Sequence, residues 1–223
     1  MNKTKSFFKK IGRGLLTPEI FEDKGLSRRF YKYFLSGMLI RLAFLPFFFQ
    51  RDLLSTYQRA AETVFTGNMT SSFQQILTNI IHSAYLFIIK SIVPAVGDFF
   101  PILLDSDTWT SWVGFVSSYN VFTVLTLFKI LYLIFDLACM FLILRLSFDD
   151  DPEGRLNVFK FWMFNPVLIF VLYIFARHDI IGVFATIVAL MLAKKCRPRV
   201  ASNSAPYAKN LSSDRSSSMR SPT

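Results

Sequence analysis

The sequence predicts an all-α fold: a polytopic transmembrane helix bundle of about four spans, with interfacial or re-entrant helices beside them. Three observations carry this. Hydrophobic residues make up 52% of the chain and 26 residues are phenylalanine, which suits a bilayer better than a water-soluble core. Apolar residues run on for the length a span needs, most clearly from about Val121 to Leu146. Charge is pushed to the ends. Of a net +10, nine Lys and Arg fall in residues 1–32 and seven in residues 194–223. Flanking clusters of this kind put both termini of a multi-pass protein on the cytoplasmic side, of a prokaryotic plasma membrane or a eukaryotic ER membrane. They do not point to nucleic acid as a partner, because no groove-reading or base-stacking module accompanies them.

Residues 1–32 read as a basic cytoplasmic segment without the continuous apolar stretch of a cleavable signal. Phe7, Phe8, Ile11 and Leu15, interleaved with Lys9, Lys10 and Arg13, suggest a surface-seeking helix that Gly12 and Gly14 weaken. Thr17-Pro18 then reads as a helix start, closed by Gly25. The membrane domain is expected over 33–196. Its first span runs outward from about Tyr33 to Phe49. An amphipathic helix follows, with Leu53, Leu54, Tyr57, Ala60, Ala61, Val64 and Phe65 on one face, Gln58, Arg59 and Glu62 on the other, and Gly67 as cap. Such a helix is expected to lie in the membrane surface.

Leu77 to Val96 is apolar but contains His82, Lys90 and Pro94. The stretch after it, 97–120, carries Asp98, Asp105 and Asp107 and no Lys or Arg. Both flanking loops therefore belong outside, and 77–97 reads as a re-entrant or surface-lying hairpin. Trp109 and Trp112 fit an interfacial aromatic belt. The second span, about Val121 to Leu146, runs inward. The third, Asn157 to Ala176, runs outward and is kinked at Asn165-Pro166, where proline removes a helix hydrogen bond. Ile180 to Ala193 returns inward and is short for a ~30 Å hydrocarbon core. Residues 197–223, rich in Ser, Pro, Asn and Arg, read as a disordered cytoplasmic tail. Asn68-Met69-Thr70 is a glycosylation sequon in an expected external loop. Cys139, in an apolar run, and Cys196, beyond Lys194 and Lys195, are neither a disulfide pair nor a cysteine metal site.

Ionisable groups inside or at the ends of spans are the candidates for chemistry. Asp52 is a lone carboxylate where a span meets the amphipathic helix. It is well placed to act on a lipid headgroup, and equally to be a solvated acid beside Arg51. Arg177-His178-Asp179 brings a cation, an imidazole and a carboxylate to the external turn between the last two spans. Arg177 suits bidentate phosphate recognition; Asp179 could bind a metal or position an acceptor hydroxyl; the bland alternative is a turn with headgroup contacts. The topology puts Asp52 and Asp179 on one side of the membrane. Lys129 and Asp136, two helical turns apart, share a face of the second span. Arg41 is a plausible partner for Asp136 in an ion pair that fixes packing, and Lys129 is a candidate to neutralise a lipid phosphate. No P-loop, nucleophile elbow, HExxH or dinucleotide loop is present.

RLAFLPFFFQRD, the helix YQRAAETVFTG, then LFKILYLIFDLACMFLILRL and FWMFNPVLIFVLYIFARHDIIGVFATIVALMLAKK follow in this order. Together, over about 36–197, they resemble the N-terminal half of the integral-membrane GT-C glycosyltransferases. The likeness is to the catalytic subunits of glycosylphosphatidylinositol mannosyltransferase I and their prokaryotic relatives. The resemblance implies transfer of a sugar, mannose in that group, from a polyprenyl- or dolichyl-phosphate donor on the non-cytoplasmic side. It makes Asp52 the general base and has Asp179 assist, or hold Mn or Mg with Asp52. It sets Arg177, Lys129 and His178 at the donor phosphate. Where the family pairs acids in its first external loop, this chain has Asp52 followed by Leu53. Two other classes fit the same residues: a non-catalytic membrane subunit that stabilises a second subunit, and a small transporter or channel using Lys129, Asp136 and Arg41 to line a pathway.

Overall fold

The structure, a computed structural model, describes residues 23–67, 75–99, 108–146 and 151–193. The expectations for the N-terminal segment up to Glu22, the sequon, Asp105, Asp107, Lys194, Lys195, Cys196 and the tail lie outside them. Every regular element among the described residues is helical. The described residues up to Phe184 belong to one compact unit and those from Ala185 to Ala193 to a second.

Helix α1 is Lys24–Phe44. Asp23 caps it by accepting from the Gly25 amide at 2.6 Å. Gly25 therefore opens a helix; it does not close one. α1 stops just before Pro46, which has no N–H to continue the ladder. The expected span Tyr33 to Phe49 is thus not one helix. α2 is Arg51–Thr66, closed by Gly67 at φ 69°, a left-handed cap that suits glycine. α3, Ile76–Ile92, is a single helix followed by a 3₁₀ turn, Pro94–Phe99. The expected hairpin is absent there, because no Gly or Pro interrupts the segment before Pro94.

α4 is Thr108–Val116 and α5 is Val121–Leu146. α6, Pro152–Phe164, starts at Asp151, whose carboxylate accepts from the Gly154 amide at 3.0 Å. The Asn165-Pro166 break then appears as expected. Asn165 caps the short α7, Pro166–Ile169, by accepting from the amides of Val167 (3.0 Å) and Leu168 (3.3 Å). α7 passes into a π-helical turn, Phe170–Ile174, and the axis bends by 40° at the break. α8 is Ile180–Ala193.

By length and composition α5 could cross a membrane alone, and α6 with its continuation to Ile174 passes the same test as a bent pair; α3 and α8 are apolar but shorter. Leu26, Phe30, Met140, Leu144, Leu156, Phe159 and Met163 join α1, α5 and α6 in one core. Gly37 lets α1 approach α6 there. A Cβ at that position would lie 2.4 Å from Met163 Cε and 3.2 Å from the Met163 carbonyl oxygen.

α2 packs chiefly on α3. Its apolar face is not left for lipid, as an interfacial helix would leave it: Leu53, Tyr57, Ala60 and Ala61 are wholly buried in protein. The Tyr57 ring stacks on Phe128 at 3.8 Å, and its hydroxyl donates to the Phe128 carbonyl at 2.7 Å. The apolar side chains left uncovered include Leu35, Leu39 and Leu42 on α1, and Leu77, Ile80, Phe87 and Ile88 on α3.

Candidate functional site

Helix breaks free backbone carbonyls, and the chain answers with cations. In an unbroken helix the carbonyls of Trp162 and Met163 would accept from residues 166 and 167. Pro166 has no N–H and the Val167 amide is taken by Asn165. Arg41 fills both places, donating to Met163 O at 2.7 Å and to Trp162 O at 3.2 Å. Its Nε reaches Asp136 Oδ2 at 2.7 Å, with both side chains fully buried. The Asp136 carboxylate also accepts from Trp162 Nε1 at 2.7 Å and from the Tyr173 hydroxyl at 2.8 Å. The pairing of Arg41 with Asp136 is as expected from the sequence; Trp162 and Tyr173 are additions.

Lys129 works the same way. The Tyr173 carbonyl lacks its helical partner, because the Arg177 amide bonds to Val171 O at 3.1 Å. Lys129 Nζ donates to Tyr173 O (3.0 Å), to Phe44 O at the end of α1 (3.2 Å), and to Phe48 O beyond it. All three ammonium protons are directed at protein carbonyls and the residue is 0% exposed. The structure thus encloses Lys129 in the bundle, not at a surface.

The second cluster lies where α2 begins and the π turn ends. Ala176 there has φ 56° and is buried, a left-handed conformation costing an L-residue about 1–2 kcal/mol. It turns Arg177 towards α2. Arg177 Nη1 meets Asp52 Oδ2 at 3.2 Å and its Nε meets Asp179 Oδ2 at 3.2 Å. The three side chains are 43% (Arg177), 50% (Asp52) and 56% (Asp179) exposed. Residues 125 positions apart in the chain are brought together, with one guanidinium between two acids.

His178 adjoins them. Its Nδ1 is 3.5 Å from Thr56 Oγ1, which donates to Asp52 O at 2.7 Å and receives Arg59 Nη2 at 3.5 Å. Burial holds the His178 ring below the usual histidine value; Asp179 opposes this, Arg177 and Arg59 add to it, and Asp52 opposes it. The ring is therefore neutral near pH 7. Behind it lies His82, at a ring distance of 6.3 Å. The Thr78 carbonyl, 2.7 Å from His82 Nδ1, can only accept, so Nδ1 carries the proton and Nε2 accepts from the Tyr132 hydroxyl at 3.0 Å.

Of the residues expected at the site, Asp52, Asp179, Arg177 and His178 are together and Lys129 is not; Arg41 and Asp136, expected as structural charges, pair in the inner network. Thr56 and Arg59 were not expected here, since a helical wheel puts Arg59 on a solvated side. Among the described residues no group of three or more His, Cys, Asp or Glu has the geometry to hold a metal ion. With a guanidinium lying between them, Asp52 and Asp179 do not fit a divalent cation as they stand. No protein-family model matches the chain, and no curated protein or solved structure matches it.

Proposed function

We propose that this chain is a membrane enzyme that works on a lipid-linked phosphate at the outer face of a bilayer. More particularly, we read it as a glycosyltransferase of GT-C type, or the N-terminal half of one, taking its sugar from a polyprenyl- or dolichyl-phosphate donor. Mannose is the sugar the resemblance favours. About four spans, formed by the helices and their breaks, would hold both termini on the cytoplasmic side. The uncovered leucines and isoleucines of α1 and α3 suit lipid contact. The observation that carries the reading is the junction of Asp52, Arg177 and Asp179, half-exposed at one end of the bundle.

The chemistry follows from the charges. An acceptor hydroxyl attacks the anomeric carbon as its proton passes to the Asp52 carboxylate. The bond from the anomeric carbon to the phosphate oxygen breaks, and polyprenyl phosphate leaves with the bonding pair. Direct displacement inverts the anomeric centre. Arg177 offsets charge on the departing phosphate, and Asp179 holds the guanidinium in register. The Arg177–Asp52 contact must open for this, which is undemanding, since exposed ion pairs are worth about 0–1 kcal/mol.

Sugar transfer from a panel of polyprenyl-phosphate sugars, in membranes containing this chain alone, tests the reading. Transfer by the parent and none by Asp52→Asn at equal expression supports it. No transfer on any donor would favour a non-catalytic subunit, with the stripe Leu35, Leu39 and Leu42 seated on a partner helix.

A further inference from the structure

We infer that Arg59 is the second cation of this site and that, with Arg177, it holds the phosphate group. The inference rests on the transferase reading for the nature of that phosphate. Charge is the argument. Asp52 and Asp179, each paired with Arg177, leave the three with one net negative charge, so the charge of Arg177 is already offset before an anion arrives. A site for phosphate needs a further positive group, and Lys129 is enclosed elsewhere.

Arg59 meets the need. On α2, Asp52, Thr56 and Arg59 fall four and three residues apart, along one side of the helix. Arg59 Nη2 donates to Thr56 Oγ1 at 3.5 Å, the atom that also lies 3.5 Å from His178 Nδ1. The same hydroxyl donates to the Asp52 carbonyl at 2.7 Å, so Thr56 links Arg59 to both His178 and the backbone of Asp52. No acid among the described residues stands within ion-pair distance of Arg59. A guanidinium can grip an oxyanion with two donors at once. With Arg59 counted, the cluster is neutral before the anion arrives and carries one negative charge after a phosphodiester binds. Without Arg59 it would carry two.

The test is binding of a polyprenyl monophosphate, and separately of inorganic phosphate, to the full chain in uncharged detergent. Sugar transfer and the far-ultraviolet helix signal are followed in parallel. Arg59→Gln is expected to weaken polyprenyl phosphate by about ten- to a hundredfold, with Arg59→Lys restoring only part and Arg51→Gln staying within about twofold. Inorganic phosphate showing the same Arg59 dependence and equal affinity would keep Arg59 in its role but make free phosphate the ligand. Binding by Arg59→Gln within twofold of the parent, with helix content unchanged, overturns the inference, as does no binding of either probe by the parent. If binding depends on Arg59 while the parent transfers no sugar, Arg59 stands and the transferase reading falls. Transfer undiminished in Arg59→Gln does the reverse.

Discussion

The molecule holds two clusters of nearly the same ingredients, arginine against aspartate, in opposite surroundings. Arg41 and Asp136 meet at 2.7 Å with neither side chain exposed; Arg177 and Asp52 meet at 3.2 Å with about half of each in reach of solvent. Removing one partner of a buried pair strands a charge and costs about 3–5 kcal/mol. An exposed pair contributes about 0–1 kcal/mol. Exposure, more than the identity of the residues, therefore decides which cluster is architecture and which is free to exchange partners with its surroundings.

Five experiments bear on that contrast. The largest effect is expected from Asp136→Ala, a loss of about 3–5 kcal/mol measured by denaturation in detergent. Arg41→Met combined with Asp136→Leu should lose less than the two single changes added together. A single-variant loss below about 1 kcal/mol would show the inner pair to be no more than a surface pair in disguise. Next, Asp52→Asn should slow sugar transfer by about 10²–10⁴-fold while moving stability by less than about 1 kcal/mol. A comparable collapse of stability would erase the distinction between the clusters.

Smaller effects come from the turn that presents Arg177. Ala176→Gly relieves the left-handed strain and should stabilise by about 1 kcal/mol, whereas Ala176→Val should destabilise by at least as much. Equal midpoints for the two variants would mean the turn is not strained. The smallest effect is a pH dependence. Burial favours neutral His178, so its stabilisation is complete above the unfolded value of about 6.5 and falls away as pH drops towards the lower folded value. His178→Asn should flatten the decline in melting temperature below about pH 6.5, and an unchanged profile would discount the burial of this ring.

The all-helical fold and both acids at the outer cluster were legible in the sequence for definite reasons. Charges inside apolar runs are conspicuous, which exposes Arg41 and Asp136, and Asp52 and Asp179 each adjoin the end of an apolar segment. Arg59 was hidden because a helical wheel sorts α2 only into buried and solvated sides. It cannot say that His178, distant in the chain, covers part of the polar side. The enclosure of Lys129 was hidden too, since its carbonyl partners arise from breaks after Phe44 and within the π turn. Pro46 and Pro166 do mark those regions, and a lysine on a neighbouring span could have been read as the answer to them. The expected first span was drawn as one run to Phe49 because FLPFFF is apolar throughout; the helix ends at Phe44, just before the missing N–H of Pro46, and is not among those long and apolar enough to cross a membrane.

Lys129 ties together three parts of the chain at one point. One nitrogen bridges the end of α1, the stretch that leads into α2, and the π turn that leads to Arg177. If any of the three leaves, the ammonium loses a hydrogen bond and a carbonyl loses its donor. Both edges of the outer cluster are thus moored to a single point, and should come apart in one transition when the protein unfolds.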